Sequence, residues 1–334
     1  MRSDGSAPHP RLVGDVGGTQ ARFGWVAGPG GSIVDPASYA CEELAGVEAA
    51  IGRYLAEHAR PAPASCALAI AVPVSGDRLT MTNRDWSFSA AELRRALGVG
   101  RLVVLNDFTA LALAVPGLQV HERRPVGGGS AIAGAPVAVL GPGTGLGVSG
   151  LLFRQGEPVP LAGEGGHVTL AAVDAGEDRL LARLRERFGH VSAERVLSGA
   201  GLVHLYQALC DIAGRSAEAL APADVAAHAA AGGDAACQAA LEHFFAFLGS
   251  VAGNLALTLG ARGGVYIGGG IVGRLGRAID ASRFRERFES KGRYRPYLAA
   301  IPTWVIETAD APALRGADRA LDAAPPGAWT VSAD

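Results

Sequence analysis

A glycine-rich turn between β-branched apolar runs occurs twice in this chain, as LVGDVGGTQARFGWV around Asp15–Thr19 and as VAVLGPGTGLGVSGLL around Gly141–Gly147. In each copy a short apolar run enters the turn and a second one leaves it, the pattern of a hairpin. Glycine there can adopt positive φ or let the backbone come close to a ligand. Backbone N–H groups in such turns bind anions, and a hydroxyl follows in each copy, Thr19 and Thr144. The first turn alone carries a carboxylate, Asp15, suited to a hydrated divalent cation. One glycine hairpin is a common object. Two, each followed by helix-rich sequence, predict a duplicated α/β unit that cradles phosphate beside one cleft.

A chain of 334 residues is longer than one core usually serves, so two domains are expected. Its 49% hydrophobic and 19% charged residues describe a soluble globular protein. A formal net charge of -2 gives no field that would gather nucleic acid or an acidic membrane. The four cysteines, Cys41, Cys66, Cys210 and Cys237, lack CxxC or Cys/His spacing, which predicts buried free thiols in a reducing compartment and no structural zinc. MRSDGSAPHPR at the N-terminus has no apolar run of the signal-peptide kind and reads as a loose tail, so the cytoplasm is the expected location. Phe244–Ala261 carries no charge and approaches membrane-spanning length. Ser250, Asn254 and the immediate return to a strand in GGVYIGGG predict a buried helix instead, and no membrane span.

Along the first part, strand, hairpin and strand run to Val26, and an amphipathic helix follows near Val47–Arg60. CALAIAVPV reads as a buried strand, RLTMTNRDW carries Thr82 and Asn83, and SFSAAELRRAL reads as a helix capped by Ser89 with Glu92 three residues on. RLVVLNDFTALALAV is an apolar strand that ends in Asn106–Asp107 and passes straight into a helix. Ligands collect beyond the carboxyl ends of such strands, so Asp107 is either a catalytic group or a helix cap. Pro116–Gly117 marks the domain crossing. The expected division is residues 11–117 with 308–322 as a small domain and 118–307 as a large one, with tails at 1–10 and 323–334.

In the second part, Glu164 and His167 stand in GEGGH. Glu-x-x-His is a metal pattern when it lies on a bundle helix, but two intervening glycines cost a helix about 2 kcal/mol. In a loop the pair presents hydrogen-bonding groups to a polyhydroxylated ligand. Glu194, in VSAERVLSGAG, is locally a first-turn helix glutamate, with Ser192 as a possible cap. Gly268–Gly269–Gly270 ends an apolar strand and precedes a helix, which fits a tight turn and a nucleotide contact equally. DRLLARLRERFG and SAERVLSGAGLVHLYQAL read as helices, KGRYRPYLAAIPTWVIE as a basic loop and last strand, ALRGADRAL as a terminal helix, and DAAPPGAWTVSAD as a disordered tail.

Taken together and in order, DVGGTQARF, LNDF, GPGTGLG, GEGGH, SAERVLSG, GGGIVGRL and SKGRYRPYL closely resemble the bacterial ATP-dependent glucokinases of the hexokinase, Hsp70 and actin superfamily, from about Leu12 to Leu321. The resemblance implies two actin-like, ribonuclease H-like ATPase domains with a cleft between them, and transfer of the γ-phosphoryl of ATP to the 6-hydroxyl of D-glucose. It implies that Asn106, Asp107, Glu164, His167 and Glu194, with Thr82 and Asn83, bind the sugar, and that Asp107 is the general base. Phosphate and nucleotide contacts fall to Asp15, Gly17, Gly18, Thr19, Gln20 and Arg22, to Gly141, Gly143, Thr144 and Gly145, and to Gly268, Gly269 and Gly270. Mg²⁺ would be held at Asp15 through water, and a homodimer is implied. Gln20 departs from the asparagine usual after GGT, which touches the detail of that turn. The cysteine-rich zinc motif of the related repressor and kinase family is absent. A kinase for fructose or mannose would share every phosphate motif, and a sugar-responsive, non-enzymatic actin-like ATPase is the remaining alternative.

Overall fold

A computed structural model describes residues 7–81, 85–308, 310–323 and 328–332. The chain begins β1 (Arg11–Val16), β2 (Gln20–Val26), β3 (Val34–Ala40), α1 (Val47–Glu57), β4 (Ser65–Ile70), β5 (Arg78–Thr80), β6 (Ser87–Ser89), α2 (Ala90–Leu97), β7 (Arg101–Asn106) and α3 (Asp107–Ala114). It continues with β8 (Arg123–Pro125), β9 (Val137–Pro142), β10 (Leu146–Arg154), β11 (Glu157–Leu161), α4 (Ala175–Phe188), α5 (Ala193–Val196), α6 (Gly199–Ile212), α7 (Pro222–Ala231) and α8 (Ala235–Leu259). β12 (Val265–Ile267), α9 (Gly270–Leu275), α10 (Phe284–Glu289), α11 (Arg295–Ala299), β13 (Thr303–Ile306), α12 (Pro312–Ala323) and β14 (Trp329–Ser332) follow.

Two six-stranded sheets repeat one topology: β3-β2-β1-β4-β7-β14 in the first and β11-β10-β9-β12-β13-β8 in the second. In each, the third, fourth and fifth strands of that order are parallel, and the sixth is an added antiparallel edge strand. The duplication visible in the glycine turns is therefore a duplication of whole sheets. The parallel strands are apolar in their middle residues because both faces are covered; β4 is buried at every residue.

Two compact units form, residues 1–119, 149–163 and 308–334 in one and 120–148 with 164–307 in the other. Residues 149–163, expected in the large domain, belong to the first unit, where β11 packs on α3. Phe23, Trp25, Ile51, Tyr54 and Leu68 are in the first core; Tyr206, Phe244, Phe245, Phe247, Phe284 and Phe288 are in the second. All four cysteines are free and buried. α8 is long and apolar enough to cross a membrane, yet 67% of its most apolar window is buried inside the fold, against α6, α7 and α10. It starts earlier than expected because Asp234 caps it, accepting the Ala236 and Cys237 N–H groups.

Further sequence expectations need correction. The C-terminal tail is not unstructured throughout: Trp329–Ser332 pairs with the exposed edge of β7, and Val331 packs on the first core. At the other end Ala7 is buried and the Pro8 carbonyl accepts the Ser65 hydroxyl at 2.6 Å, so the loose tail does not reach Pro10. The single helix expected over SAERVLSGAGLVHLYQAL is two, because Ser198 leaves helical geometry and caps α6 by accepting the Gly201 N–H. In KGRYRPYL the basic loop contains a short helix, α11, with proline in its first turn, where its missing N–H costs nothing. Thr82 and Asn83 lie outside the described residues.

Candidate active site

In the first unit the β1–β2 turn is closed by the Gly17 N–H donating to the Gln20 carbonyl at 2.9 Å. Glutamine thus closes the turn through its backbone, while its side-chain Oε1 accepts the Ser38 hydroxyl on β3 at 2.9 Å. The Thr19 carbonyl accepts the Cys41 N–H at 2.9 Å, and Thr19 is exposed at the turn. Asp15 and Arg22 face each other across the hairpin, and Arg22 donates to Asp15 Oδ2 at 3.2 Å. The Asp15 side chain is only 15% exposed. Burial holds its carboxyl above the ordinary aspartate range, and Arg22 opposes that shift.

Asn106 and Asp107 sit where β7 becomes α3. Asn106 is the N-cap, its Oδ1 accepting the Phe108 N–H at 2.9 Å and the Thr109 N–H at 3.2 Å. Its Nδ2 remains, 3.5 Å from the Val72 carbonyl. Asp107 Oδ1 accepts the Phe108 N–H at 2.9 Å. Val16, Ile70 and Asn106 are in register across β1, β4 and β7. The first glycine turn and Asp107 therefore leave the carboxyl end of the same sheet, from strands two spacings, about 10 Å, apart.

In the second unit several motifs converge on the β9–β10 turn. The Gly143 N–H donates to the Gly145 carbonyl at 2.7 Å and the Gly199 N–H to the Gly143 carbonyl at 3.0 Å. The triple glycine lies against the strand entering the turn: the Gly268 N–H donates to the Leu140 carbonyl at 2.8 Å, and a Cβ at Gly141 would stand 2.4 Å from Gly268. GEGGH packs on the strand leaving it, where a Cβ at Gly166 would stand 2.2 Å from the Leu146 carbonyl oxygen. Of the two uses open to these glycines, left-handed backbone is absent at Gly17, Gly141, Gly143 and Gly145 and occurs at Gly269, with φ of 80°. At Gly141 the physical need for glycine is close backbone packing.

Glu164, His167 and Glu194 come together in this unit. Glu164 precedes a single 3₁₀ turn, Gly165–His167, in place of the plain loop expected. His167 Nε2 lies 4.0 Å from Glu164 Oε2, and its Nδ1 lies 3.9 Å from Glu194 Oε1. Burial, with Glu194 adding, raises the Glu164 carboxyl above its usual range, and His167 opposes. Ser192 caps α5 by accepting the Arg195 N–H at 3.1 Å, which fixes the turn carrying Glu194. Three carboxylate and imidazole groups with spare acceptor and donor capacity suit a ligand rich in hydroxyls. Gly199 and Leu146, which tie this cluster to the glycine turn, stand in the sequence only inside the motifs SAERVLSG and GPGTGLG, and a backbone amide leaves no sequence signal.

The structure matches the crystal structure of a glucokinase from an Antarctic psychrotroph with a TM-score of 0.83 and 36% identity, covering 93% of this chain and 98% of that one. The glucokinase family model matches residues 12–324, and the chain belongs to that family. It is 54% identical over 318 residues to the glucokinase of Aromatoleum aromaticum, covering 95% of this chain and 96% of that one. It is 53% identical over 297 residues to the glucokinase of Paramagnetospirillum magneticum, covering 88% and 92%.

Proposed function

We propose that this chain transfers the γ-phosphoryl group of ATP to the 6-hydroxyl of D-glucose, giving glucose 6-phosphate and ADP, with Asp107 as general base. Family membership supports the activity. The observation that carries the geometric part is the register Val16–Ile70–Asn106, which sets a phosphate turn and the candidate base at the carboxyl end of one sheet.

Asp107 accepts the 6-hydroxyl proton as that oxygen bonds to the γ-phosphorus; the bond to the β–γ bridging oxygen breaks and its electron pair leaves with ADP. Such transfer asks mainly for alignment and charge stabilisation. Asn106 offers Nδ2 to the sugar because its Oδ1 is committed to α3. Glu164, His167 and Glu194 take further hydroxyls, and polar groups desolvated on binding discriminate strongly against a sugar that leaves one unpaired. Amides of the two glycine turns and the hydroxyls of Thr19 and Thr144 bind phosphate, and Gly268–Gly270 lies on the adenosine side.

Asp15 offers one carboxylate, engaged on Oδ2 by Arg22, a donor set that suits Mg²⁺ held through water better than by direct ligation. Bound with ATP, the cation neutralises phosphate charge. The repeated sheet order supports two actin-like domains of the hexokinase, Hsp70 and actin superfamily. The family resemblance supports a cytoplasmic homodimer.

Asp107→Asn tests the role of base. Turnover should fall by ~10²- to 10⁴-fold with glucose binding retained; normal turnover would remove Asp107 from that role. Coupled ADP release over a panel of glucose, mannose and fructose reads the acceptor, and glucose should give the highest kcat/KM.

A further inference from the structure

The two oxygens of the Glu194 carboxylate face different neighbours. Oε1 looks toward His167 at 3.9 Å, whereas Oε2 accepts the Leu146 N–H at 2.8 Å, where the β9–β10 turn ends. Further along the same segment, the Gly199 N–H donates to the Gly143 carbonyl, where the turn begins. SAERVLSG therefore grips both ends of the turn, with a side chain at one and a backbone amide at the other. The segment itself is fixed: Ser192 and Ser198 cap the two short helical starts, and Val196 and Leu197 are fully buried. The fit at the turn is close, since a Cβ on Gly145 would stand 2.3 Å from Glu194 Oε2.

We propose that Glu194, beyond any part in sugar binding, is a positioning residue for the phosphate turn. Its Oε2 holds the Leu146 amide, so the turn keeps its anion-binding shape before any sugar arrives. One carboxylate then serves the acceptor group and the donor cradle together. The inference rests on reading the β9–β10 turn as a phosphate cradle.

Two substitutions in the full chain separate this role from sugar contact. Glu194→Gln keeps an oxygen that can accept the Leu146 N–H, whereas Glu194→Ala keeps none. Without sugar, Glu194→Ala should bind AMPPNP roughly tenfold more weakly by calorimetry, the scale of one lost hydrogen bond to a charged group. Its Leu146 amide should exchange with solvent at least tenfold faster, on the same scale. Glu194→Gln should stay near wild type in both measurements. Equal AMPPNP affinity in Glu194→Ala and wild type would overturn the inference, as would weaker binding with unchanged Leu146 exchange. A wild-type protein that binds no AMPPNP would sink the phosphate-cradle reading itself and this inference with it.

Discussion

Asn106 and Asp107 divide a task that sequence alone leaves joined. Both helix capping and catalysis are open to an Asn-Asp pair at a strand-to-helix junction, and the structure gives the N-cap to Asn106 through two amide bonds. Asp107 Oδ1 accepts its neighbour's amide, and the residue is half-buried. Glu164 invites a test by pH. Its folded carboxyl titrates above the ordinary value of 4.5, so in that window the folded protein binds more protons than the unfolded chain. Stability from this group is therefore full below the unfolded value and declines as pH rises through the folded one. Sugar hydroxyls donating to the carboxylate favour its ionised form, so binding should expel a proton. Glucose affinity in the wild type should weaken as pH falls from neutrality through the raised titration range of this carboxyl. Calorimetry in two buffers of different ionisation enthalpy should register the released proton, and Glu164→Gln should lose both effects. Matching pH profiles for the two proteins would exclude Glu164 from the sugar site.

At the level of elements, local signals were legible and remote partners were not. Ser89 and Ser192 were readable as caps because an N-cap hydroxyl bonds within its own first turn, and both accept the N–H three residues on. The strand before Asn106 was readable from its unbroken apolar run. WTVS at the C-terminus was not, since a strand of four residues is defined by the edge it finds, and that edge is β7, far away in sequence. The break between α5 and α6 was hidden because apolar residues continue through it and the capping serine looks like any helical serine. At the glycine turns the residue type was legible, but its reason was not: Gly141 answers to Gly268, a partner just past the end of β12. β14 supplies a direct test. Deleting residues 324–334 uncovers the β7 edge and the seat of Val331, and should cost about 2 kcal/mol in urea unfolding. An uncovered edge also templates association, so the truncated chain should form larger species in sedimentation velocity than the full chain does. Unchanged stability would show that this strand contributes nothing to the sheet.

On the scale of the whole molecule, one topology has been used twice, and each copy has its own core. That organisation makes ligand-linked stability informative about both substrate and cooperativity. Glucose at a hundred times its Kd, binding only the folded protein, adds about 2.7 kcal/mol. If all 334 residues unfold in one transition, an ordinary unfolding entropy converts this into a Tm rise of about 4 °C. If the two units unfold separately, only a transition coupled to the ligand moves, and since each unit holds about half the chain the shift there is about 8 °C. Differential scanning calorimetry with glucose, mannose and fructose at one common concentration therefore measures two things at once. Glucose should give the largest shift if, as proposed, the carboxylate and imidazole groups at positions 164, 167 and 194 bind the sugar, since they would penalise a hydroxyl set that leaves one of them unpaired. A larger shift with fructose or mannose would move the acceptor to that sugar while leaving the phosphate machinery as described. No shift with any hexose, together with sugar-independent ATP turnover, would favour an ATPase that takes no sugar.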